Sequence, residues 1–160
     1  MLARMQFTGV WRDYQARVLE QLSEQSENGR LHIVAAPGAG KTVLGLEIVR
    51  RLGRPALVFA PTVAIRDQWA HRLSPLFLEA PPAPEDISHD LAAPCVLTLA
   101  TYQALDAPRR SEDVGDLART LEQSGPVTLV LDEAHHLRRE WWNSIEQLTD
   151  RKSTRLNSSH

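Results

Sequence analysis

The sequence has a single cysteine, Cys95, among its 160 residues, so no disulfide can form within the chain. A chain of this kind is typical of a reducing compartment. The sequence also lacks an apolar run near the roughly 18 residues that span a bilayer, and its N-terminus lacks the apolar core of a signal peptide. These absences predict a cytoplasmic protein that does not enter a membrane.

The chain also has little net charge. The formal net charge is −2, with 24% charged and 42% hydrophobic residues. A global basic field that attracts nucleic acid is therefore excluded, although a local basic patch can suffice for binding. The composition is that of an ordinary globular protein, and the length is enough for one domain with a substantial core.

Helix and strand patterns alternate along the chain. Apolar runs without polar alternation are typical of buried parallel strands, and they occupy residues 31–35, 56–60, 96–100 and 127–131. Amphipathic spacing predicts helices over about 11–25, 41–52, 62–73, 114–121 and 141–148. Residues 74–94 hold five prolines and are predicted to form a loop. The alternation predicts a three-layer α/β domain with a mostly parallel sheet, whose ligands bind beyond the carboxyl ends of the strands.

Residues 35–42, Ala-Ala-Pro-Gly-Ala-Gly-Lys-Thr, lie between a predicted strand and a predicted helix. This is the arrangement of a phosphate-binding loop, in which backbone N–H groups and the helix dipole bind an anion. Lys41 would contact the β- and γ-phosphates of ATP, and the Thr42 hydroxyl would bind Mg²⁺. Ala35 departs from the pattern, which begins with glycine, so a chance glycine-rich turn is the alternative. The predicted nucleotide-binding residues of the loop are Pro37, Gly38, Ala39, Gly40, Lys41 and Thr42.

An acidic pair, Asp132-Glu133, closes the last of the apolar strands. Asp132 is predicted to hold Mg²⁺ near Thr42, directly or through water. Glu133 is predicted to orient and deprotonate the attacking water, which makes Glu133 and Lys41 the candidate catalytic residues. The alternative is that the two acids only favour the dipole of a following helix. The phosphate-binding loop supports the catalytic interpretation, because each motif supplies what the other lacks.

The sequence Asp132-Glu133-Ala134-His135, together with the loop at residues 36–42, resembles the ATP-binding half of superfamily 2 helicases and translocases. The similarity is greatest to the branch that contains type III restriction subunits and related DNA translocases. This resemblance implies a RecA-like P-loop NTPase domain over residues 1–150, with ATP and Mg²⁺ as cofactors. It also implies that His135 couples the ATP site to its surroundings.

The resemblance extends to three further segments. The segment 11–15, Trp-Arg-Asp-Tyr-Gln, is similar to the adenine-binding segment of the family, which implies that Gln15 contacts the base; the alternative is a solvent-facing helix residue. In the family, the segments that resemble 59–62 and 98–102 touch the nucleic-acid backbone. They imply contacts from Pro61, Thr62, Thr101 and Tyr102.

Purely structural roles are the alternative to these nucleic-acid contacts. Thr62 is expected to cap a helix in any case, which is compatible with binding phosphate. Thr101 and Tyr102 could simply pack at the end of a strand. Trp69 and the pair Trp141-Trp142 are predicted to pack in the core or on the surface rather than to stack on bases.

By the resemblance, the partners are nucleic acid, with DNA favoured over RNA and the choice left open, and a second RecA-like domain that these residues do not contain. The expected function is the first ATP-binding domain of a helicase or translocase, with little hydrolysis or unwinding by these residues alone. A non-motor P-loop ATPase and a non-catalytic nucleotide-binding module are the alternatives. Residues 151–160 have no apolar period, resemble translated sequencing-adapter read-through, and are predicted to be a non-native or disordered tail.

Overall fold

The structure, a computed structural model, describes residues 1–25, 30–34, 40–106, 119, 127–149 and 154–159. The helices that contribute to its layers are α1 (Asp13–Gln25), α2 (Lys41–Leu52), α3 (Val63–Phe77) and α4 (Arg139–Thr149). The strands are β1 (Arg30–Val34), β2 (Ala56–Ala60), β3 (Ile87–Ser88), β4 (Leu97–Thr101), β5 (Thr128–Leu131) and β6 (Thr154–Ser159). Short 3-10 turns occupy Leu2–Arg4, Tyr102–Leu105 and Ala134–His136.

Within the described ranges the strands form one sheet in the order β1-β6-β5-β2-β4-β3. Every neighbouring pair is parallel. The carboxyl ends of β1, β2, β4 and β5 therefore lie along one edge of the sheet. The predicted parallel α/β architecture is confirmed, and this edge is where ligands of such sheets bind.

Both faces of the sheet are covered, which explains why its strands are continuously apolar. Because side chains alternate along a strand, Ala56 and Val58 of β2 pack with one cluster, and Leu57 and Phe59 pack with another. The first cluster draws residues from α1, α2 and α3. The second includes Trp141 and Ile145 of α4 and the turn at Tyr102–Leu105. The three-layer prediction is confirmed by these two cores.

The helix α2 connects the site edge to the core. Its interior is almost wholly buried, with Leu44 and Ile48 at 0% exposure. It ends where the sequence predicts, because Gly53 adopts φ 65° and its N–H bonds to the carbonyls of Val49 and Arg50. None of the helices in the described part of the chain is long and apolar enough to cross a membrane.

The loop predicted from residue 74 begins later, because α3 continues through Pro75 to Phe77, and a short strand, β3, follows. Proline removes one helical hydrogen bond, but Leu73 and Phe77 on either side are 0% and 1% exposed, and their burial outweighs that loss. The helix predicted around residues 114–121 lies outside the described residues, apart from Arg119.

The segment predicted to be a tail has a place in the sheet. The backbone of Thr154–Ser159 pairs with both β1 and β5. The expectation of a disordered tail over residues 151–160 stays a prediction. Ladder hydrogen bonds join backbone groups and need no particular side chains. A segment without an apolar pattern can therefore pair there. The prediction that residues 151–160 are non-native stays a prediction.

Candidate functional site

The described end of the predicted phosphate-binding loop, Gly40 to Thr42, meets the acidic pair at the carboxyl edge of the sheet. Lys41 Nζ lies 3.1 Å from Glu133 Oε1, although 92 residues separate them in sequence. Their side chains are only 11% and 15% exposed, so the ion pair is largely shielded from water. Lys41 is the first residue of α2, and Glu133 follows β5 by two residues. The parallel order of the strands is what brings them together.

A hollow of about 390 Å³, called here the edge hollow, opens at this ion pair. Ligand pockets for small molecules range from about 300 to 1,000 Å³. Its wall combines the end of the loop, the acidic pair and one side of α3. The polar residues of its lining include Arg12, Lys41, Thr42, Arg72, Asp132 and Glu133.

Asp132 is the most enclosed polar residue of the edge hollow, at 5% exposure. Trp69 Nε1 donates a hydrogen bond to its Oδ2 at 3.0 Å, and the Tyr102 hydroxyl donates to its backbone carbonyl at 2.9 Å. Burial raises the pKa of Asp132, the Glu133 charge adds to the rise, and the Trp69 hydrogen bond and the Lys41 charge oppose it. A carboxyl whose charge is disfavoured in this way gains from a cation beside it.

The donor groups of the edge hollow fit Mg²⁺. The cation prefers oxygen ligands, one or two of them carboxylates, together with substrate phosphates. Thr42, which carries a hydroxyl, and Asp132, which carries a carboxylate, both line the edge hollow. Lys41 contributes an ammonium group beside them, which suits a polyanionic partner.

Glu133 has an unusual backbone. Its φ and ψ are 53° and 50°, the left-handed region, and no other non-glycine residue in the described ranges has a positive φ. A residue held this way costs of order 1–3 kcal/mol and occurs preferentially at functional sites. This conformation begins the turn Ala134–His136 and directs the carboxylate to Lys41. His135 Nδ1 lies 3.5 Å from Glu133 Oε2, so the residue predicted to couple the site contacts the predicted base.

Gln15 is buried at 4% exposure, which excludes the solvent-facing alternative. Its Nε2 donates to the Gly40 carbonyl at 3.0 Å, and its Oε1 accepts from the Arg12 backbone N–H at 2.9 Å. The side chain therefore ties the start of α1 to the end of the phosphate-binding loop. A primary amide has a second N–H and a further lone pair, so adenine contact by Gln15 stays a prediction.

A side chain at Gly40 would lower the stability of the fold. Its φ is 82°, and a Cβ would lie 2.6 Å from Gln15 Nε2. We expect Gly40→Ala to lower the free energy of unfolding by about 1–2 kcal/mol through backbone strain and by about a further 1 kcal/mol through the lost Gln15 bond. Gly53→Ala is the matched control, since its φ is 65° and a Cβ there meets no atom of the described part of the chain within 4 Å. Urea unfolding measures both; equal losses in the two variants would contradict the contribution of Gln15.

The residues predicted to contact nucleic acid lie along the same edge. Pro61 and Thr62 follow β2, and Thr101 ends β4. Thr62 is exposed, and its hydroxyl accepts a hydrogen bond from the Ile65 N–H at 3.2 Å, which confirms the predicted helix cap. Tyr102 requires a correction: its side chain is 0% exposed and stacks on Phe59. The strand-end packing that the sequence left open describes Tyr102, and its side chain offers no surface to a nucleic acid.

The sequence missed two features of this site. Trp69 is in the core as predicted, at 2% exposure, but its hydrogen bond to Asp132 has no signal in the sequence. Arg72 was not singled out, although its spacing of four from Gln68 places both on the side of α3 that lines the edge hollow. Three predicted residues of the loop, Pro37, Gly38 and Ala39, lie outside the described residues.

Comparison with known proteins identifies relatives of this chain. The family described as "Type III restriction enzyme, res subunit" matches residues 8–157. "Putative helicase 055L" of Frog virus 3 is 30% identical over 135 residues, covering 79% of this chain and 28% of the viral protein. "DNA 3'-5' translocase XPB2" of Sulfurisphaera tokodaii is 31% identical over 137 residues, covering 86% of this chain and 28% of the archaeal protein. This chain thus spans about 28% of the length of these two relatives. Because the family match covers well over half of its residues, the chain belongs to the type III restriction enzyme, res subunit family.

Proposed function

We propose that this chain is the first ATP-binding domain of an ATP-dependent helicase or translocase. The observation that carries the proposal is the Lys41–Glu133 contact of 3.1 Å, which joins the phosphate-binding loop to the acidic pair across the edge hollow. The names of the two relatives, a putative helicase and a DNA translocase, support an ATP-driven helicase or translocase and favour DNA as the nucleic acid that it moves along.

The binding roles follow from the lining of the edge hollow. Lys41 leaves Glu133 and binds the β- and γ-phosphates of ATP, so that the phosphates replace the Glu133 carboxylate as its anionic partner. Thr42 and Asp132 would hold Mg²⁺, which would neutralise charge that develops during phosphoryl transfer. Gln15 keeps Gly40 in place, so that the helix dipole of α2 faces the phosphates.

Glu133 performs the remaining chemistry. Once Lys41 has turned to the phosphates, the Glu133 carboxylate accepts a hydrogen bond from a water and takes its proton as the water attacks the γ-phosphorus. The bond from the γ-phosphorus to the β,γ-bridging oxygen breaks, and ADP leaves with that oxygen. His135 lies 3.5 Å away, on the side of the second carboxylate oxygen. In this proposal, His135 couples a change in the charge of Glu133 to the group that contacts its half-exposed ring.

The nucleic-acid contacts belong to this proposal as well. Pro61, Thr62 and Thr101 lie on the carboxyl edge, and the start of α3 presents a helix N-terminus where phosphates bind favourably. A second RecA-like domain in the complete protein would close over the edge hollow. The complete protein would therefore act on DNA, whereas these residues alone would bind Mg-ATP and hydrolyse it slowly.

Titration with Mg-ATP tests the site directly. We expect Lys41→Ala to weaken ATP binding about 10- to 100-fold, because a hydrogen bond to a charged group contributes about 1.5–3 kcal/mol. Arg17→Ala, which removes a positive charge from the exposed side of α1, is the control and should leave the affinity unchanged. Isothermal titration calorimetry measures both. Equal affinity in the wild type and Lys41→Ala would refute the proposed site.

A further inference from the structure

The predicted metal ligand Asp132 is held by two buried hydrogen bonds from other parts of the fold. Trp69 Nε1 of α3 donates to its carboxylate at 3.0 Å, and the Tyr102 hydroxyl donates to its carbonyl at 2.9 Å. Its own backbone N–H donates to the Phe59 carbonyl of β2 at 2.8 Å. The main chain and the side chain of Asp132 are therefore held by different hydrogen bonds. Of these three bonds, only the one from Trp69, which lies outside the acidic motif, reaches the carboxylate.

The fold makes room for the Trp69 ring in one specific place. Gly45 of α2 lies beneath the indole, and a Cβ there would overlap the ring. Trp69 is 2% exposed and Asp132 is 5% exposed. A buried hydrogen bond to a carboxylate is strong, and it restricts the orientation of the carboxylate. A chain of contacts therefore runs from Gly45 of α2, through Trp69 of α3, to Asp132 at the end of β5.

We propose that Trp69 is a positioning residue whose indole N–H orients the Asp132 carboxylate for Mg²⁺. This inference rests on the proposed function of the edge hollow. The indole N–H occupies Oδ2 and so fixes the plane of the carboxylate, which sets the direction in which Oδ1 is presented. Groups that hydrogen-bond a metal ligand in this way orient it and raise the affinity of the site.

The position of Trp69 on α3 gives this bond a second consequence. The helix begins at the Thr62 cap, seven residues before Trp69, which is about 10 Å along a helix axis. Thr62 is a predicted nucleic-acid contact, and Trp69 contacts the predicted metal ligand. One rigid element therefore joins the two sites, so a displacement of α3 by nucleic acid moves the group that orients Asp132.

Trp69→Phe tests the role, because it keeps an aromatic ring in the core and removes the N–H. With a non-hydrolysable ATP analogue bound to the 160-residue chain, we expect the Mg²⁺ concentration for half-saturation to rise roughly 10- to 100-fold. Affinity for the analogue in EDTA should stay within about twofold, because no metal is involved. A purely structural role of the ring would instead change both measurements together or neither.

Trp141→Phe is the matched control. Trp141 is also buried, at 6% exposure, but its indole N–H donates no hydrogen bond to any of the described residues. The same substitution there should leave the Mg²⁺ requirement unchanged. An unchanged Mg²⁺ requirement in Trp69→Phe, with normal Mg²⁺-dependent binding by the wild type, would overturn this inference alone. A wild type that binds the analogue equally with Mg²⁺ and in EDTA would overturn the proposed metal site, and this inference with it.

A second measurement uses the wild type, in case Trp69→Phe does not fold. The chain has four tryptophans, and therefore four indole N–H resonances in a nitrogen–proton correlation spectrum. Single phenylalanine substitutions of the other three, Trp11, Trp141 and Trp142, assign the Trp69 resonance by elimination. Adding Mg²⁺ to the nucleotide-bound chain should shift the Trp69 resonance and leave that of Trp141 in place. An unmoved Trp69 resonance would overturn the proposal.

Discussion

Glu133→Gln should abolish most of the residual ATP turnover while leaving nucleotide binding intact. The amide keeps the size of the side chain and an oxygen that can face Lys41, but it cannot accept a proton from water at neutral pH. General-base catalysis contributes about 10²–10⁴-fold to rate, and we expect turnover to fall by that factor. Affinity for Mg-ATP should be at least as high as in the wild type, because the substitution removes a negative charge that repels the triphosphate.

The measurement of this effect needs both quantities from the same preparation. Single-turnover hydrolysis gives the rate, and calorimetric titration gives the affinity. Glu140→Gln is the control, because Glu140 is exposed at the start of α4 and lies apart from the edge hollow. If Glu133→Gln turns over ATP at the wild-type rate, another group must activate the water. If binding is lost as well, the substitution has disturbed the left-handed backbone at this position.

A longer protein that adds a second RecA-like domain should hydrolyse ATP about 10³–10⁵-fold faster than these 160 residues. An arginine supplied to the transferring phosphoryl group is worth that factor in related enzymes. The relatives of this chain are more than three times its matched length, since it covers 28% of each. Steady-state ATP turnover of the short chain and of the longer protein, at equal Mg²⁺ and saturating ATP, measures the difference.

The edge hollow itself provides the sharpest control for this prediction. Besides Lys41, its lining includes two arginines, Arg12 and Arg72, and either could reach the phosphates from within this chain. Arg12→Ala and Arg72→Ala should therefore be measured in the short chain. If the short chain already turns over ATP as fast as the longer protein, and one of these substitutions abolishes that rate, then the transition-state cation is internal and the two-domain proposal fails.

The local patterns of this sequence predicted most of the layers. Strands β2 and β5 were recognised because strands covered on both faces are continuously apolar. The predicted range 41–52 matches α2, which is capped by Gly53 because glycine tolerates a left-handed backbone. Local patterns failed where long-range burial outweighed a local preference. The helix α3 crosses Pro75 because the residues around it are buried in the core, and no local rule includes that gain.

The features of the candidate site also fall into two groups, those that local motifs predict and those that only the tertiary structure shows. The sequence predicts Lys41, Thr42, Asp132 and Glu133 as site residues, because each belongs to a short motif whose residue types suit phosphate and Mg²⁺. Their roles stay predictions. The hydrogen bond from Trp69 to Asp132 could not be predicted, because 63 residues separate the partners and tryptophan is an ordinary core residue. The burial of Tyr102 beneath the acidic pair was likewise invisible, although its position at the end of β4 was predicted.

By itself, the sequence determined the layer type, the identity of the two motifs and the edge of the sheet at which they would meet. It could do so because residue spacing and composition encode strand and helix periods, and because parallel strands end on a common side. The tertiary structure alone decided which side chains support those motifs: Gln15 on Gly40, Trp69 on Asp132, and Glu133 against Lys41. Such contacts depend on how helices pack on the sheet, and packing is set by the sum of many weak interactions between distant residues rather than by any local run of the chain.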